Sequence, residues 1–148
     1  PIQIGMMLAG ASEQELETVV KYSKEVGRSY QITDDALTYS SKFLEKDQSV
    51  DIRDGKVTLI ILDALDKVSD EEQQKLRGYL GKADLSQEEY EDCVKIVIAS
   101  GAVKRALDSA WRSSEVAIEE TYSFPDHWNR ENVEFMRELA RYLITRTN

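Results

Sequence analysis

One cysteine, one histidine and two prolines in 148 residues leave this chain few routes to redox or soft-metal chemistry and few breaks in its helices. Cys93 cannot form an intramolecular disulfide. With Tyr90, Val94, Val97 and Ile98 around it at helical spacing, it reads as a packing residue rather than a nucleophile. His127 stands beside Trp128 in a Pro-Asp turn with no ligand pattern near it, so it is not taken as a metal ligand. Positive charge is scarce: 19 Lys and Arg oppose 28 Asp and Glu, for a net charge of −9, which argues against nucleic acid or an anionic membrane surface as a direct partner. No apolar run approaches the roughly 20 residues of a membrane-spanning helix. A hydrophobic content of 41% is enough for a core, and one cytoplasmic domain over residues 1–148 is expected.

What is present reads as helix after helix. Ser12 with Glu15, Ser69 with Glu72 and Ser86 with Glu89 fit the reciprocal capping pattern that opens a helix. Gly81 and Gly101 fall where helices should stop, and Ser123-Phe-Pro-Asp126 marks the break before the last one. Leu16, Val19, Val20, Val26 and Tyr30 form one inward face. Tyr90 to Ile98 form another, and Val133, Met136, Leu139, Ala140, Leu143 and Ile144 a third. Val57-Thr-Leu-Ile-Ile-Leu62 suits a buried strand as well as a helix, but no second strand candidate would pair with it. It is therefore read as a central helix, apolar all round, that starts at Lys56. Trp111 and Trp128 are expected to be packing or interface residues, and Arg141 and Arg146 to lie on the outer side of the last helix. The fold class is all-α.

The segment Gln31-Ile-Thr-Asp34-Asp35-Ala-Leu-Thr38 carries the chemistry. On a helix Gln31, Asp34, Asp35 and Thr38 fall at i, i+3, i+4 and i+7 and make one polar stripe about 10 Å long. Tyr30, Ile32, Ala36 and Leu37 flank it, so the carboxylates are expected to face an interior, where they need a cation. In so acidic a chain an adjacent Asp pair is by itself ordinary solvated surface; what surrounds this one sets it apart. Oxygen ligands on a helix suit Mg²⁺, which is usually shared with a substrate phosphate.

From Gly5 to Leu65 the sequence resembles the trans-isoprenyl diphosphate synthases, the polyprenyl synthetase family. Leu8-Ala-Gly-Ala-Ser12-Glu-Gln-Glu-Leu16 looks like the turn before the family's second aspartate-rich helix. Glu25-Val-Gly-Arg-Ser-Tyr-Gln31-Ile-Thr-Asp34-Asp35 is similar to that helix, and Asp51-Ile-Arg-Asp-Gly-Lys56-Val-Thr-Leu59 matches the segment that follows it. The resemblance runs more loosely through Gly101-Ala102 to Leu139–Arg146.

It implies the helical bundle of the isoprenoid synthases and a prenyltransferase that condenses isopentenyl diphosphate with an allylic prenyl diphosphate. It implies Mg²⁺ held by Asp34 and Asp35, and diphosphate bound by Gln31, Lys46 and Lys56. Asp51 and Thr38 would play supporting parts; no residue is assigned to the chemical step.

Two departures qualify this. Thr38 stands where the family's Asp-Asp-x-x-Asp has its third aspartate, and a hydroxyl cannot neutralise a divalent ion. Glu45-Lys46-Asp-Gln-Ser-Val50 replaces the usual Gly-Lys-Pro-x-Gly. The family's first aspartate-rich motif, its diphosphate-binding arginines and its Lys-Thr pair have no counterpart here. The chain is therefore expected to be the C-terminal half of a synthase, inactive alone. It should associate with a second copy or with the missing N-terminal half, because half a cavity leaves apolar surface exposed. The alternatives are a non-catalytic subunit that modulates a complete synthase, and a helical interaction domain without chemistry.

Overall fold

Serine and glutamate three residues apart open three of the helices. The structure, a computed structural model, describes residues 2–39 and 50–145. In chain order these residues form α1 (Ile2–Leu8), α2 (Glu13–Leu37), α3 (Val50–Arg53), α4 (Leu59–Lys67), α5 (Asp70–Tyr79), α6 (Gln87–Ala99), α7 (Ala102–Glu120), a 3-10 turn (Thr121–Ser123) and α8 (Arg130–Thr145). No strand occurs among them, so the fold is all-α. At α5 and α6 the cap serine accepts from the N–H of the third helical residue, while that residue's glutamate accepts from the cap N–H. Ser12 and Glu15 make the same exchange before α2. Gly81 and Gly101 follow α5 and α6 with φ of +79° and +76°, the left-handed conformation that ends a helix.

The chain clusters into two compact units, one of Pro1–Thr33 with Ser109–Asn148 and one of Asp34–Asp108. In the first, Val19, Tyr22 and Val26 of α2 are buried with Ala117, Phe124, Ala140 and Leu143. Two polar ties run through this core. The Tyr22 hydroxyl donates to the Met136 carbonyl at 2.6 Å, and the Ser114 hydroxyl to the Ala140 carbonyl at 2.6 Å. Burial pushes the Tyr22 phenol up to about 12, so it stays a donor. Phe124 meets Tyr22 edge-on with ring centroids 5.9 Å apart and lies 4.9 Å from Trp128.

The Glu15 carboxylate is the polar anchor of this unit. It accepts from the Trp128 indole at 2.9 Å and from the Ser12 hydroxyl and N–H, and lies 2.9 Å from His127 Nε2. These bonds, that from Trp128 foremost, hold its pKa down at about 2.

The second unit packs Ile52, Ile60, Ile61, Ala64, Leu65, Leu76, Leu85, Cys93, Ile96 and Val97 into its core. Cys93 is fully buried, and burial pushes its thiol up to about 11, as expected of a packing residue. Helix α4 starts later than the sequence pattern suggests. Thr58 caps it, its hydroxyl accepting from the Ile61 N–H at 3.3 Å, and Lys56 and Val57 precede the helix. Nor is α4 buried all round: Ile60, Ile61, Ala64 and Leu65 face the core while Leu59 and Leu62 are exposed. Tyr30 and Ile98, placed on inward faces by periodicity, are also exposed, and so is Trp111. Each sits at the margin of an apolar stripe, where helical phase alone does not decide burial. Arg141 lies on the outer side of α8 beside Glu138, as expected, and Arg146 lies outside the described residues.

Because Glu15 is held ionised in the folded chain, its stabilising bonds are present in full above its ordinary pKa of 4.5 and fade as pH falls towards 2. Glu15→Gln is expected to lower the thermal midpoint at pH 7, with the gap to wild type closing between pH 4.5 and 2. A gap independent of pH would show that the carboxylate's charge plays no part.

Candidate functional site

The end of α2 and the turn after α3 place four of the predicted residues together in the second unit. Asp35, in the last turn of α2, is buried, whereas Asp34 beside it is exposed. Thr38 follows the helix, and Asp51 comes from α3. After α3 the chain reverses through Asp54-Gly55, with Lys56 N–H donating to the Asp51 carbonyl at 2.9 Å. Gly55 has φ of +67°, and a Cβ there would lie 3.2 Å from the Gly81 Cα. Gly81 N–H in turn donates to the Ile52 carbonyl at 2.9 Å. The turn thus lies against the end of α5, and a side chain at position 55 would need both a left-handed backbone and a small shift of Gly81.

This reversal delivers the Lys56 ammonium to two carboxylates. Its Nζ lies 3.2 Å from Asp35 Oδ1 and 3.2 Å from Asp51 Oδ2. The Lys56 side chain is 45% exposed, that of Asp35 only 10%. The bond to Asp35 is the main reason that the Lys56 pKa is raised. The Thr38 hydroxyl donates to the same Asp51 Oδ2 across a long 3.5 Å, and the Tyr90 hydroxyl donates to the Thr38 carbonyl at 3.4 Å. Burial, reinforced by Cys93 and the carboxylates of Asp51 and Asp35, pushes the Tyr39 phenol up.

An ammonium has three N–H donors, and two are directed at the carboxylates. The exposure of the side chain leaves room for the third to meet an anion. Among the described residues no group of three or more His, Cys, Asp or Glu side chains could hold a metal ion. That donor set fits Mg²⁺ only as an ion shared with substrate oxygens and water, the usual mode for this cation. Gln31 is exposed on the part of α2 that belongs to the first unit, and Lys46 lies outside the described residues. His127 is exposed and faces Glu15. The Thr58 cap, the Gly55–Gly81 contact and the Tyr90 bond escaped the sequence reading; only the Asp54-Gly55 dipeptide signals a turn there.

The family model described as polyprenyl synthetase matches residues 1–97. The chain belongs to the polyprenyl synthetase family. It is 27% identical over 147 residues to a short chain isoprenyl diphosphate synthase of Methanocaldococcus jannaschii, covering 98% of this chain and 43% of that protein. Among solved structures, a polyprenyl synthase of Caulobacter crescentus complexed with calcium and isoprenyl diphosphate superposes with a TM-score of 0.82. It is 26% identical, over 99% of this chain and 44% of that one. A geranylgeranyl pyrophosphate synthase of Corynebacterium glutamicum complexed with isoprenyl diphosphate and magnesium gives a TM-score of 0.81. The identity is again 26%, over 93% of this chain and 39% of that one. The chain thus spans less than half the length of these polyprenyl synthetase relatives.

Two outcomes follow for the stability of the site. Lys56→Met and Asp35→Asn, combined in a double-mutant cycle by urea denaturation, are expected to show a coupling of about 1 kcal/mol, modest because the ammonium is partly solvated. Additive effects would mean that the pair contributes nothing to stability. Gly55→Ala is expected to cost about 2 kcal/mol from positive-φ strain and contact with Gly81. A loss below about 0.5 kcal/mol, the range of ordinary surface substitutions, would mean the turn relaxes freely.

Proposed function

We propose that this chain supplies one portion of a prenyltransferase site, in which isopentenyl diphosphate is condensed with an allylic prenyl diphosphate to extend an isoprenoid of the geranyl to geranylgeranyl class. The observation that carries the reading is the Lys56 ammonium, set between Asp35 and Asp51 on a side chain that is 45% exposed. The sequence motifs around it belong to a family whose members have been crystallised with isoprenyl diphosphate. The chain spans 43% of the first of these relatives, and on this reading the activity is that of an assembly with the remainder of such a synthase.

Ionisation of an allylic diphosphate leaves negative charge on the departing group, and the site lowers the barrier by meeting that charge with groups already in place. Lys56 donates to a diphosphate oxygen while Asp35 and Asp51 keep its ammonium from swinging away. The Thr38 hydroxyl donates to the Asp51 oxygen that Lys56 also meets. Asp34, exposed on α2, together with Asp35 would hold Mg²⁺, which when bound supplies Lewis-acid stabilisation of the diphosphate. Lys46 would add a second cation.

A second reading, a non-catalytic subunit of a heteromeric synthase, is favoured by the uncharged Thr38. Asp34→Ala in the assembled synthase separates the two. Loss of turnover by a factor of about 10², typical of removing one electrostatic stabiliser, supports the catalytic reading. Unchanged turnover assigns the chain to the modulating subunit.

A further inference from the structure

Helices α4 and α5 border an open cavity of about 500 Å³ in the second unit, lined by none of the residues of the Lys56 cluster. Leu62, Leu65 and Asp66 line it from one face of α4, at i, i+3 and i+4. Gln73 and Arg77 line it from one face of α5, at i and i+4, and Val57 and Leu80 complete it. Its volume falls within the range of small-molecule sites, which are mostly apolar with a few polar groups that orient the guest. The Gln73 side-chain amide donates to the Leu65 carbonyl at 2.9 Å and ties the two helices together here. Leu65 is buried, whereas Val57 and Leu62 are 56% and 53% exposed.

The polar groups give the cavity a sign. Asp66, the one carboxylate in the lining, accepts from Lys67 Nζ at 2.8 Å and so has its cation. The exposed Arg77 side chain makes no ion pair or hydrogen bond among the described residues. With 28 acidic residues against 19 basic ones, this chain has carboxylates in excess, yet this guanidinium has none. Its place in the last turn of α5 suits the helix dipole, but a cation at a helix end needs no apolar cavity beside it.

We infer that this cavity binds a single-chain amphiphile with an anionic head. The chain lies over Val57, Leu62, Leu65 and Leu80, and Arg77 takes the head through paired N–H bonds. A fatty carboxylate and a lipid phosphate both offer this chemistry. The site is separate from the diphosphate reading of Lys56, which stands or falls on its own.

Calorimetric titration of the 148-residue chain with decanoate and with decyl phosphate, both kept below micelle formation, tests the inference. At least one is expected to bind; the tighter of the two assigns the head group. Octyl, decyl and dodecyl members of that series are expected to gain about twofold in affinity per methylene, half the free energy of full burial because the cavity is open to solvent. Arg77→Met, which keeps the apolar stem, is expected to weaken binding by about tenfold. Leu62→Ser is expected to flatten the dependence on chain length. A thermal melt of each variant separates loss of binding from loss of fold, and Arg77→Gln carries the comparison if Arg77→Met fails to fold. Binding of neither amphiphile overturns the inference. So does an affinity that Arg77→Met leaves unchanged, which would mean detergent-like adsorption elsewhere on the chain.

Discussion

A carboxylate withdrawn from water must find a cation, and in the second unit that cation is a lysine side chain. Asp35 is carried into the interior by the amphipathic register of α2, which buries Ile32 and Ala36 on the same face. Once it is there, the segment after α3 is constrained to bring Lys56 to it. The short helix, the left-handed glycine and the threonine cap that follow are the means by which a few residues do so. Asp51, in α3 just before that segment, meets the same ammonium, so that the lysine lies between two carboxylates.

The two units solve a similar problem in opposite ways. In the first, Glu15 stays near the surface and is satisfied by neutral donors, an indole and a serine, with His127 alongside. Its charge is stabilised by hydrogen bonds, so it serves as an anchor and offers nothing to a ligand. In the second, Asp35 is satisfied by a full charge that is itself partly solvated. That arrangement can exchange partners when an anion arrives, and it is why chemistry is assigned to one cluster and not the other.

Much of this was legible in the residues. Three Ser-x-x-Glu signatures located three helix starts, Gly81 and Gly101 located two ends, and the motifs that resemble the family's singled out Asp35, Asp51 and Lys56, which the structure brings together. The burial of Asp35 followed from its apolar neighbours, while Asp34, one residue earlier, turned outward because adjacent residues on a helix point about 100° apart. What periodicity missed were margins and contacts. The apolar run Val57–Leu62, with no strand to pair with it, reads as a helix from Lys56, yet the hydroxyl of Thr58 makes it the cap and leaves Lys56 outside. The exposure of Leu59, Leu62, Tyr30 and Ile98 depends on what packs beside each helix, which a single helix's pattern does not contain. The meeting of Gly55 with Gly81 is a tertiary contact between glycines distant in the chain, and no local signal announces it.

That meeting has a consequence for how the cluster responds to change elsewhere. The backbone of the turn before Lys56 is seated on the residue that terminates α5, with an N–H bond from Gly81 to Ile52 beneath it. The end of α5 therefore works as a jig for the ammonium. Substitutions that shift that helix end by a fraction of an ångström would re-aim a side chain they never touch. Under the proposed function, a random-mutagenesis screen for weakened diphosphate capture would collect hits at Gly81, an exposed position, beside those in the cluster itself.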